Sequence, residues 1–523
     1  MDFDLMRGLA ALRDAERGLA TKRAEAPLSV VLAYPSPYHV GMSSLGFLQV
    51  HRLANARPLT RCDRAFLPTP DELEVYAHTH TPLLTVERQQ PAGEAHVIAI
   101  SQAYELELAG VVRVLRLAGY APLAADRDPA DPLVVLGGPI TFSNPLPSAP
   151  FADVLILGEA EAAWPLLLSR LEERPEAARG DAAARRAMLE QLADEPGFFV
   201  PSVHGETLPP IAQAPDDLLP AVSTLRTANT ELSNMVLIEP ERGCHRGCTF
   251  CVMRRSTNGG MRLVPPDVVD RLVPEDAERV GLVGAAVTDH PGIKEILGRL
   301  VDERGLRIGI SSLRADRLDD TFVGLLHRGG YRSMTVALDA ASTRLRDSIE
   351  KNLKDRHVEN AAALAKQHGM RHLKLYVIVG LPGETDEDRQ ELVRFAKSLA
   401  KTLPVVLGVS PFVPKFHTPL ADAPFAGEAQ IRRILSKLER AFVGTRVTLR
   451  GPGAREAYVE YRLAQGGFQH AAAAVAATDA GATLAAWKKA LKPTSERVRF
   501  SGFERLVPAP TLRRRWRPQV IGA

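Results

Sequence analysis

Three of the chain's four cysteines lie between positions 244 and 251, in the run Glu239-Pro240-Glu241-Arg242-Gly243-Cys244-His245-Arg246-Gly247-Cys248-Thr249-Phe250-Cys251. The spacing is C-x3-C-x2-C, in a loop that contains Gly243 and Gly247. Thiolates spaced this way can converge on one soft metal centre. A structural zinc takes four protein ligands, and no second Cys or His pair follows downstream. His245, as the immediate neighbour of Cys244, is badly placed to be the fourth. A cubane of four irons and four sulfides also has four metal corners. Three thiolates leave one iron open to a small molecule, which a catalytic site needs and a structural site avoids. Spacing alone leaves three readings: an iron–sulfur cluster, a zinc ion, or an inert group of thiols. Cys62, beside Asp63 and Arg64, stands apart and reads as a partly buried bystander.

The elements that must position this loop form two βα series. Residues 29–173 alternate short apolar runs (Ser29–Tyr34, His96–Ser101, Leu133–Gly138, Val154–Gly158) with helical stretches near 44–57, 105–119 and 159–173. Such runs, bounded by Pro, Gly or Ser, predict buried parallel strands of an open sheet wound on both faces. Ligands of such sheets sit at strand carboxyl ends. Those ends, Pro35–Gly46, Ser101–Glu105, Gly137–Asn144 and Gly158–Glu161, are rich in Gly, Ser and Pro. Ser101, Gly137, Gly138 and Gly158 are therefore candidates to hold a nucleotide-like tail. Residues 174–196 predict an exposed helix, and the proline-containing stretch 197–233 an interdomain connection. From Met235 a second series begins, with strands predicted at Met235–Glu239, Val280–Val283, Arg307–Ser311, Ser333–Leu338, Leu373–Gly380 and Val405–Val413. Six βα units predict a TIM-barrel-like partial barrel, whose chemistry belongs at the strand carboxyl ends. The cysteine loop follows the first of these strands.

Composition removes several alternatives. The chain has 523 residues, 45% hydrophobic and 24% charged, which excludes a disordered or fibrous protein. Lys and Arg number 65 against 62 Asp and Glu, a net charge of +3. That balance argues against a nucleic-acid binder. The basic run Arg513-Arg514-Arg515-Trp516-Arg517 reads as a solvated end. Four cysteines make no disulfide framework. No stretch reaches the ~18 consecutive apolar residues of a membrane helix. The charged N-terminus reads as an amphipathic helix with Leu5, Leu9 and Leu12 on one stripe, not a secretory signal. A cytoplasmic protein without a membrane partner is expected.

The loop Cys244–Cys251, with Phe250 as the aromatic before the last cysteine, resembles the cluster motif of the radical SAM superfamily, and its place after strand one of a six-unit barrel matches too. The resemblance implies a [4Fe–4S] cluster on Cys244, Cys248 and Cys251, whose open iron chelates S-adenosylmethionine (SAM), and cleavage of SAM to a 5′-deoxyadenosyl radical. It also implies SAM contacts at strand ends: Phe250, Ser311, Ser312, Arg314, Asp339, Tyr376, Gly380, Pro382, Ser410 and Phe412, with Lys351 on the methionine carboxylate. Gly380-Leu381-Pro382-Gly383-Glu384-Thr385 closely resembles a segment of one large branch, where strand backbone lies against adenine. The Gly-Gly-Glu turn common after strand two is displaced here, as Gly284-Ala285-Ala286-Val287-Thr288-Asp289.

The stretches Tyr34–Gly46, Leu136–Pro139, Leu157–Glu161 and Phe412–Pro419 resemble a little-characterised branch whose N-terminal domain is related to cobalamin-binding domains. That resemblance implies cobalamin near Tyr38, Met42, Ser43, Ser101, Gly137, Gly138, Pro139, Gly158 and Glu159. The D-x-H-x-x-G pattern of histidine-ligated cobalamin is absent, since Pro37-Tyr38-His39-Val40-Gly41 lacks the Asp and shifts the Gly.

The expected organisation is an N-terminal helix (1–28), a doubly wound cobalamin-binding-like domain (29–196), a linker (197–233), a partial (βα)6 barrel (234–419) and a mainly helical C-terminal cap with a basic tail (420–523). The expected function is radical SAM chemistry, with cobalamin-dependent methyl transfer to an unactivated carbon. The alternatives are a cobalamin-free radical enzyme (rearrangement, oxidation or sulfur insertion) and a zinc-stapled nucleic-acid module. The expected partners are a small-molecule or peptide substrate and an external electron donor of flavodoxin or ferredoxin type.

Overall fold

The computed structural model describes residues 2–18, 25–223, 225–253, 260–311 and 313–497, with the backbone of 519–520. The basic tail and Ser312 lie outside the described residues. Contacts divide the chain into two units. One is built on residues up to Val236 together with the segment that begins at Arg462; the other is built on Leu237–Tyr461.

The first unit holds a six-stranded sheet. Its strands are β1 (Leu28–Tyr34), β2 (Thr60–Phe66), β3 (Val97–Ser101), β4 (Leu133–Gly137), β5 (Val154–Ile156) and β6 (Phe198–Phe199). They are ordered β2-β1-β3-β4-β5-β6. The first five are parallel, and β6 runs antiparallel to β5. The chain leaves β1 toward one edge and returns to β3 on the other side. The sheet therefore has its switch point at the carboxyl ends of β1 and β3, where such sheets bind ligands. Leu28, Val30 and Leu32 of β1 share one core with Phe47 and Trp164 of the helices Leu45–Asn55 and Ala160–Glu173.

Two strands escape the apolar pattern. Phe198–Phe199 is short. Strand β2 carries Arg61, Asp63 and Arg64, and so has no apolar run to mark it. It is nevertheless buried along nearly its whole length, because its charges are compensated. The Arg64 side chain is 1% exposed. Its Nε donates to Glu87 Oε1 at 2.6 Å and its Nη2 to Glu16 Oε2 at 2.7 Å. Arg88 Nε donates to Asp63 Oδ2 at 2.8 Å. Charges taken from water survive only with such partners. Glu16 follows the N-terminal helix Phe3–Asp14, so the ion pair also ties that helix to the sheet.

The segment 197–233 is no linker. Besides β6, the backbone of Ala212 bridges Gly158, and a Cβ on Gly158 would stand 2.5 Å from Ala212 O. Backbone contact that close admits only glycine, and it fixes the segment in the first unit. Nor is 420–523 a single cap. Val447–Arg450 adds a strand to the barrel sheet, parallel to the sixth barrel strand. The helix Gln469–Asp479 instead packs on Leu108–Leu117 of the first unit. There Asn144 Nδ2 donates to Leu463 O, Ala464 O and Gly466 O.

The second unit contains the six expected strands. Val236–Ile238, Arg279–Leu282 and Arg307–Ile310 are neighbours in one sheet. Met334–Ala340, Leu373–Val379 and Val405–Pro411 are parallel neighbours in another. A parallel bridge, Leu313 to Val336, joins the third strand's end to the fourth strand. Six strands taken in sequence order, with helices such as Asp320–Arg328, Asp355–Gln367 and Asp386–Thr402 between them, make a partial (βα)6 barrel.

His470, fully buried in the first unit, generates a prediction. Burial and the nearby Arg462 cation push its pKa down to about 4. Between about 6.5, the unperturbed value, and that lower one, the unfolded chain binds a proton that the folded chain refuses. Stability of this segment should therefore fall as pH drops from about 6.5 to 4. His470→Asn should remove that part of the pH dependence. Hydrogen exchange of residues 462–479 in both proteins at pH 7 and pH 5 checks it.

Candidate functional site

The cysteine loop begins where a short strand, Glu241–Gly243, pairs antiparallel with Met261–Leu263. Cys244 packs against Met261, Leu263 and Ala286. Thr249 N donates to Ile349 O at 3.1 Å, and Leu420 N donates to Thr249 O at 3.3 Å. The loop is thus laid across the segments that follow barrel strands four and six. Desolvation raises all three thiols; Cys244, pushed up to about 12, is also raised by Cys251 and Cys248. Thiols this reluctant to ionise become ligands only when a metal supplies the compensating charge. Among the described residues no three His, Cys, Asp or Glu side chains are arranged to hold a metal ion.

Directly beneath the loop lies Glu241, a residue that the sequence reading passed over. Its side chain is buried; Oε1 accepts from Ala286 N at 2.7 Å, and Oε2 has no hydrogen-bond partner. Burial, reinforced by Glu239 and Asp289, pushes its pKa up to about 9. At neutral pH it is an uncharged acid joining the loop after strand two to the base of the cysteine loop. A Cβ on Gly284 would stand 2.2 Å from Glu241 Oε1, so only glycine lets the two meet. This close approach takes the place of the displaced Gly-Gly-Glu turn.

Around Cys248 the structure assembles three of the expected residues, far apart in sequence. Lys351 and Arg314 lower its pKa and Asp339 raises it, against the larger upward effect of burial. Lys351 is not a solvated helix residue. It is 6% exposed and its Nζ is paired with Asp339 Oδ2. Arg314 Nε donates to Asp316 Oδ1 at 2.9 Å and its Nη2 to Lys351 O at 3.2 Å. Asp339 sits at a bulge of the fourth strand with φ of 67°. That left-handed backbone is uncommon outside glycine, though Asp tolerates it better than most, and such residues cluster at functional sites.

The remaining expected SAM residues occupy the neighbouring strand ends. Ser311 Oγ donates to Gly284 O at 3.0 Å. Tyr376 is 38% exposed beneath the Lys374 ammonium, 4.7 Å from its ring centroid. Gly408 on the adjacent strand makes room for that ring, since a Cβ there would lie 2.8 Å from Tyr376 Cδ1. Gly380 N and Leu381 N donate to Glu384 Oε2 at 2.7 and 3.3 Å, which holds the turn around Pro382. Phe412 is buried, Ser410 exposed and Phe250 half-buried. Tyr461 is stacked on Phe425 with centroids 4.7 Å apart.

In the first unit the expected cofactor residues separate into two groups. Ser101, Gly137, Gly138 and Pro139 lie at the carboxyl ends of β3 and β4, next to the switch point. Here Gln102 Oε1 and Ser143 Oγ, neither foreseen, are buried without a hydrogen-bond partner. The other group is committed internally. Tyr38 OH donates to Glu16 Oε1 at 2.7 Å, and Met42 Sδ accepts from Arg64 Nη1 at 2.9 Å. Ser43 Oγ donates to His39 O at 2.8 Å. Gly158 is closed by Ala212, and Glu159 Oε2 accepts from Ala214 N at 2.7 Å. Tyr38, Met42, Ser43, Gly158 and Glu159 thus each make a contact that also holds the scaffold together.

Two family models match the chain. Residues 46–201 match radical SAM proteins, N-terminal, and residues 238–396 match the radical SAM superfamily. An uncharacterized protein of Methanocaldococcus jannaschii is 28% identical over 75% of this chain and 78% of its own. A 2-(S-pantetheinyl)-carbapenam-3-carboxylate methyltransferase of Streptantibioticus cattleyicolor is 25% identical over 51% of this chain and 40% of its own. Among solved structures, the radical S-adenosylmethionine methyltransferase TsrM of Kitasatospora setae, with cobalamin and a [4Fe–4S] cluster bound, shares the fold. Its TM-score is 0.54 at 16% identity, over 76% of this chain and 77% of that one.

Two outcomes follow from this geometry. Gly284→Ala should destabilise the second unit, because the added Cβ meets Glu241, whereas Glu241→Gln should be tolerated as a neutral isostere. Thermal unfolding of the two variants checks the contrast. Lys351→Ala should strand the Asp339 carboxylate and weaken SAM binding by about 1.5–3 kcal/mol, the size of a charge-assisted contact. Titration calorimetry with SAM measures it, and unchanged affinity removes Lys351 from the site.

Proposed function

We propose, because the chain belongs to the radical SAM superfamily and is a radical SAM enzyme, that its reaction is cobalamin-dependent methyl transfer to an unactivated carbon. The observation that carries the SAM half is the assembly of Arg314, Asp339 and Lys351 around Cys248 at adjoining barrel strand ends. The donor set fits a [4Fe–4S] cluster: three soft thiols on one loop, and no second thiol pair to close a four-ligand site. A bound cluster supplies the electron that cleaves SAM to methionine and the 5′-deoxyadenosyl radical. The protein's own residues bind and orient. The Lys351 ammonium, carried beside Cys248, is placed for the methionine carboxylate, with Asp339 holding it there. Ser311 and Arg314 lie where ribose hydroxyls would be met, and Tyr376 with the 380–382 turn where adenine would rest.

The cobalamin half is supported by the first unit. Its β2-β1-β3-β4-β5 order places a switch point beside Ser101, Gly137 and Gly138. Gln102 Oε1 and Ser143 Oγ are buried polar atoms that lack a partner there, as a site for a polar cofactor tail requires. Cobalamin, when bound, is the methyl carrier. His39 would not ligate it, since the pattern around that exposed residue is absent. The TsrM relative, similar in fold alone, contains both cofactors. Substrate and an external electron donor of flavodoxin or ferredoxin type complete the reading.

Cys244→Ala, Cys248→Ala and Cys251→Ala should each abolish reductive SAM cleavage, while Cys62→Ala, a buried residue of β2, should leave iron content intact. Anaerobic reconstitution with iron and sulfide analysis checks both. Protein incubated with hydroxocobalamin should retain corrin through gel filtration, and equally so in His39→Ala. Loss of all corrin would leave a cobalamin-free radical enzyme.

A further inference from the structure

Asp289, at the end of the short turn Val287–Asp289, has a side chain with no exposed surface. Its carboxylate takes Arg246 in a fork: Nε donates to Oδ2 at 2.7 Å and Nη2 to Oδ1. Arg317 Nε adds a donor to Oδ1 at 2.9 Å, and His245 Nε2 stands 3.9 Å from Oδ2. Arg246 lies inside the cysteine motif, between Cys244 and Cys248. Its backbone N donates to Cys244 Sγ at 3.4 Å. A buried carboxylate after barrel strand two thus grips a residue whose amide bonds the first thiol. Paired planar groups of this kind fix orientation as well as position.

We propose that Asp289 is a positioning residue for the cluster, holding Arg246 so that its amide stays on the Cys244 sulfur and thereby setting the cluster's reduction potential. The proposal rests on the reading that the three cysteines carry a [4Fe–4S] cluster. Hydrogen bonds to cluster sulfurs are among the features that set such potentials, because they stabilise the added electron. Asp289 touches none of the three thiols in this arrangement and acts through Arg246. It is the acid displaced from the usual strand-two turn, here put to a different use.

The test is the charge-conserving double variant Arg246→Gln/Asp289→Asn, reconstituted anaerobically beside the wild type. Iron and sulfide content is measured first, then the midpoint potential by redox titration followed by electron paramagnetic resonance. The double variant should load its cluster and show a midpoint lower by about 59 mV, a tenfold loss in the one-electron reduction equilibrium. Arg246→Lys, which keeps the charge and loses the fork, should shift the same way, and carries the test if the double variant fails to load. Arg317→Ala, which leaves the fork intact, should keep the wild-type midpoint. A wild-type midpoint in whichever Arg246 variant loads, or an equal shift in Arg317→Ala, overturns the proposal. A wild-type protein that takes up no iron overturns the cluster reading itself, and is a different result.

Discussion

A thiol taken out of water resists ionisation, and burial holds Cys244, Cys248 and Cys251 in that condition. The loop that carries them has little regular structure of its own. Its geometry is therefore imposed by what surrounds it, and the surroundings are mostly charge pairs. Arg246 is gripped by Asp289, Lys351 is paired with Asp339, and Arg314 is held by Asp316. Each pair joins the loop, or the space beside it, to a different barrel strand end. The pairs do two jobs at once: they fix position, and they place cations where thiolates would form.

Neutral contacts fill the remaining interface. Glu241 stays protonated at neutral pH because burial outweighs its hydrogen bonds. An ionised acid there would oppose three thiolates at short range, whereas an uncharged one can bridge two backbones without adding negative charge. Gly284 is the steric counterpart of that choice. Removing one side chain lets a strand-two loop sit directly on a strand-one acid.

The first unit solves a similar problem of charge taken out of water. Its edge strand β2 carries more charge than a buried strand normally tolerates. Glu16 supplies a partner from one segment, and the adjacent Glu87 and Arg88 supply the others from a second. Placing β2 outside β1 creates the order reversal that opens a crevice between β1 and β3. The ligand face of the sheet thus depends on an ion-pair network on the opposite side of β1. Tyr38 and Met42, which sequence resemblance points toward a cofactor, are also bonded to that network.

Much of this was legible in the sequence. Apolar runs bounded by Gly and Pro located four of the sheet strands, which are buried on both faces, and all six main barrel strands, of which the fourth and fifth bury every second residue. The cysteine spacing located the loop, since local covalent geometry limits which thiols can share a centre. Hidden from sequence were the features made by distant partners. Strand β2 has no apolar signature, and it is buried only because Glu16 and Glu87 neutralise Arg64. Resemblance points to Lys351, but its burial and its pairing with Asp339, carried by a bulged strand, have no local sign. The segment 197–233 reads as a connection, and 420–497 as one cap, because their partners, Gly158 and the helix Leu108–Leu117 among them, lie far away in sequence. Glu241, Asp289 and Gly284 carry no local signal at all. A buried charge, an orphaned carboxyl and a missing Cβ are defined by what lies across from them, and only the folded chain decides that.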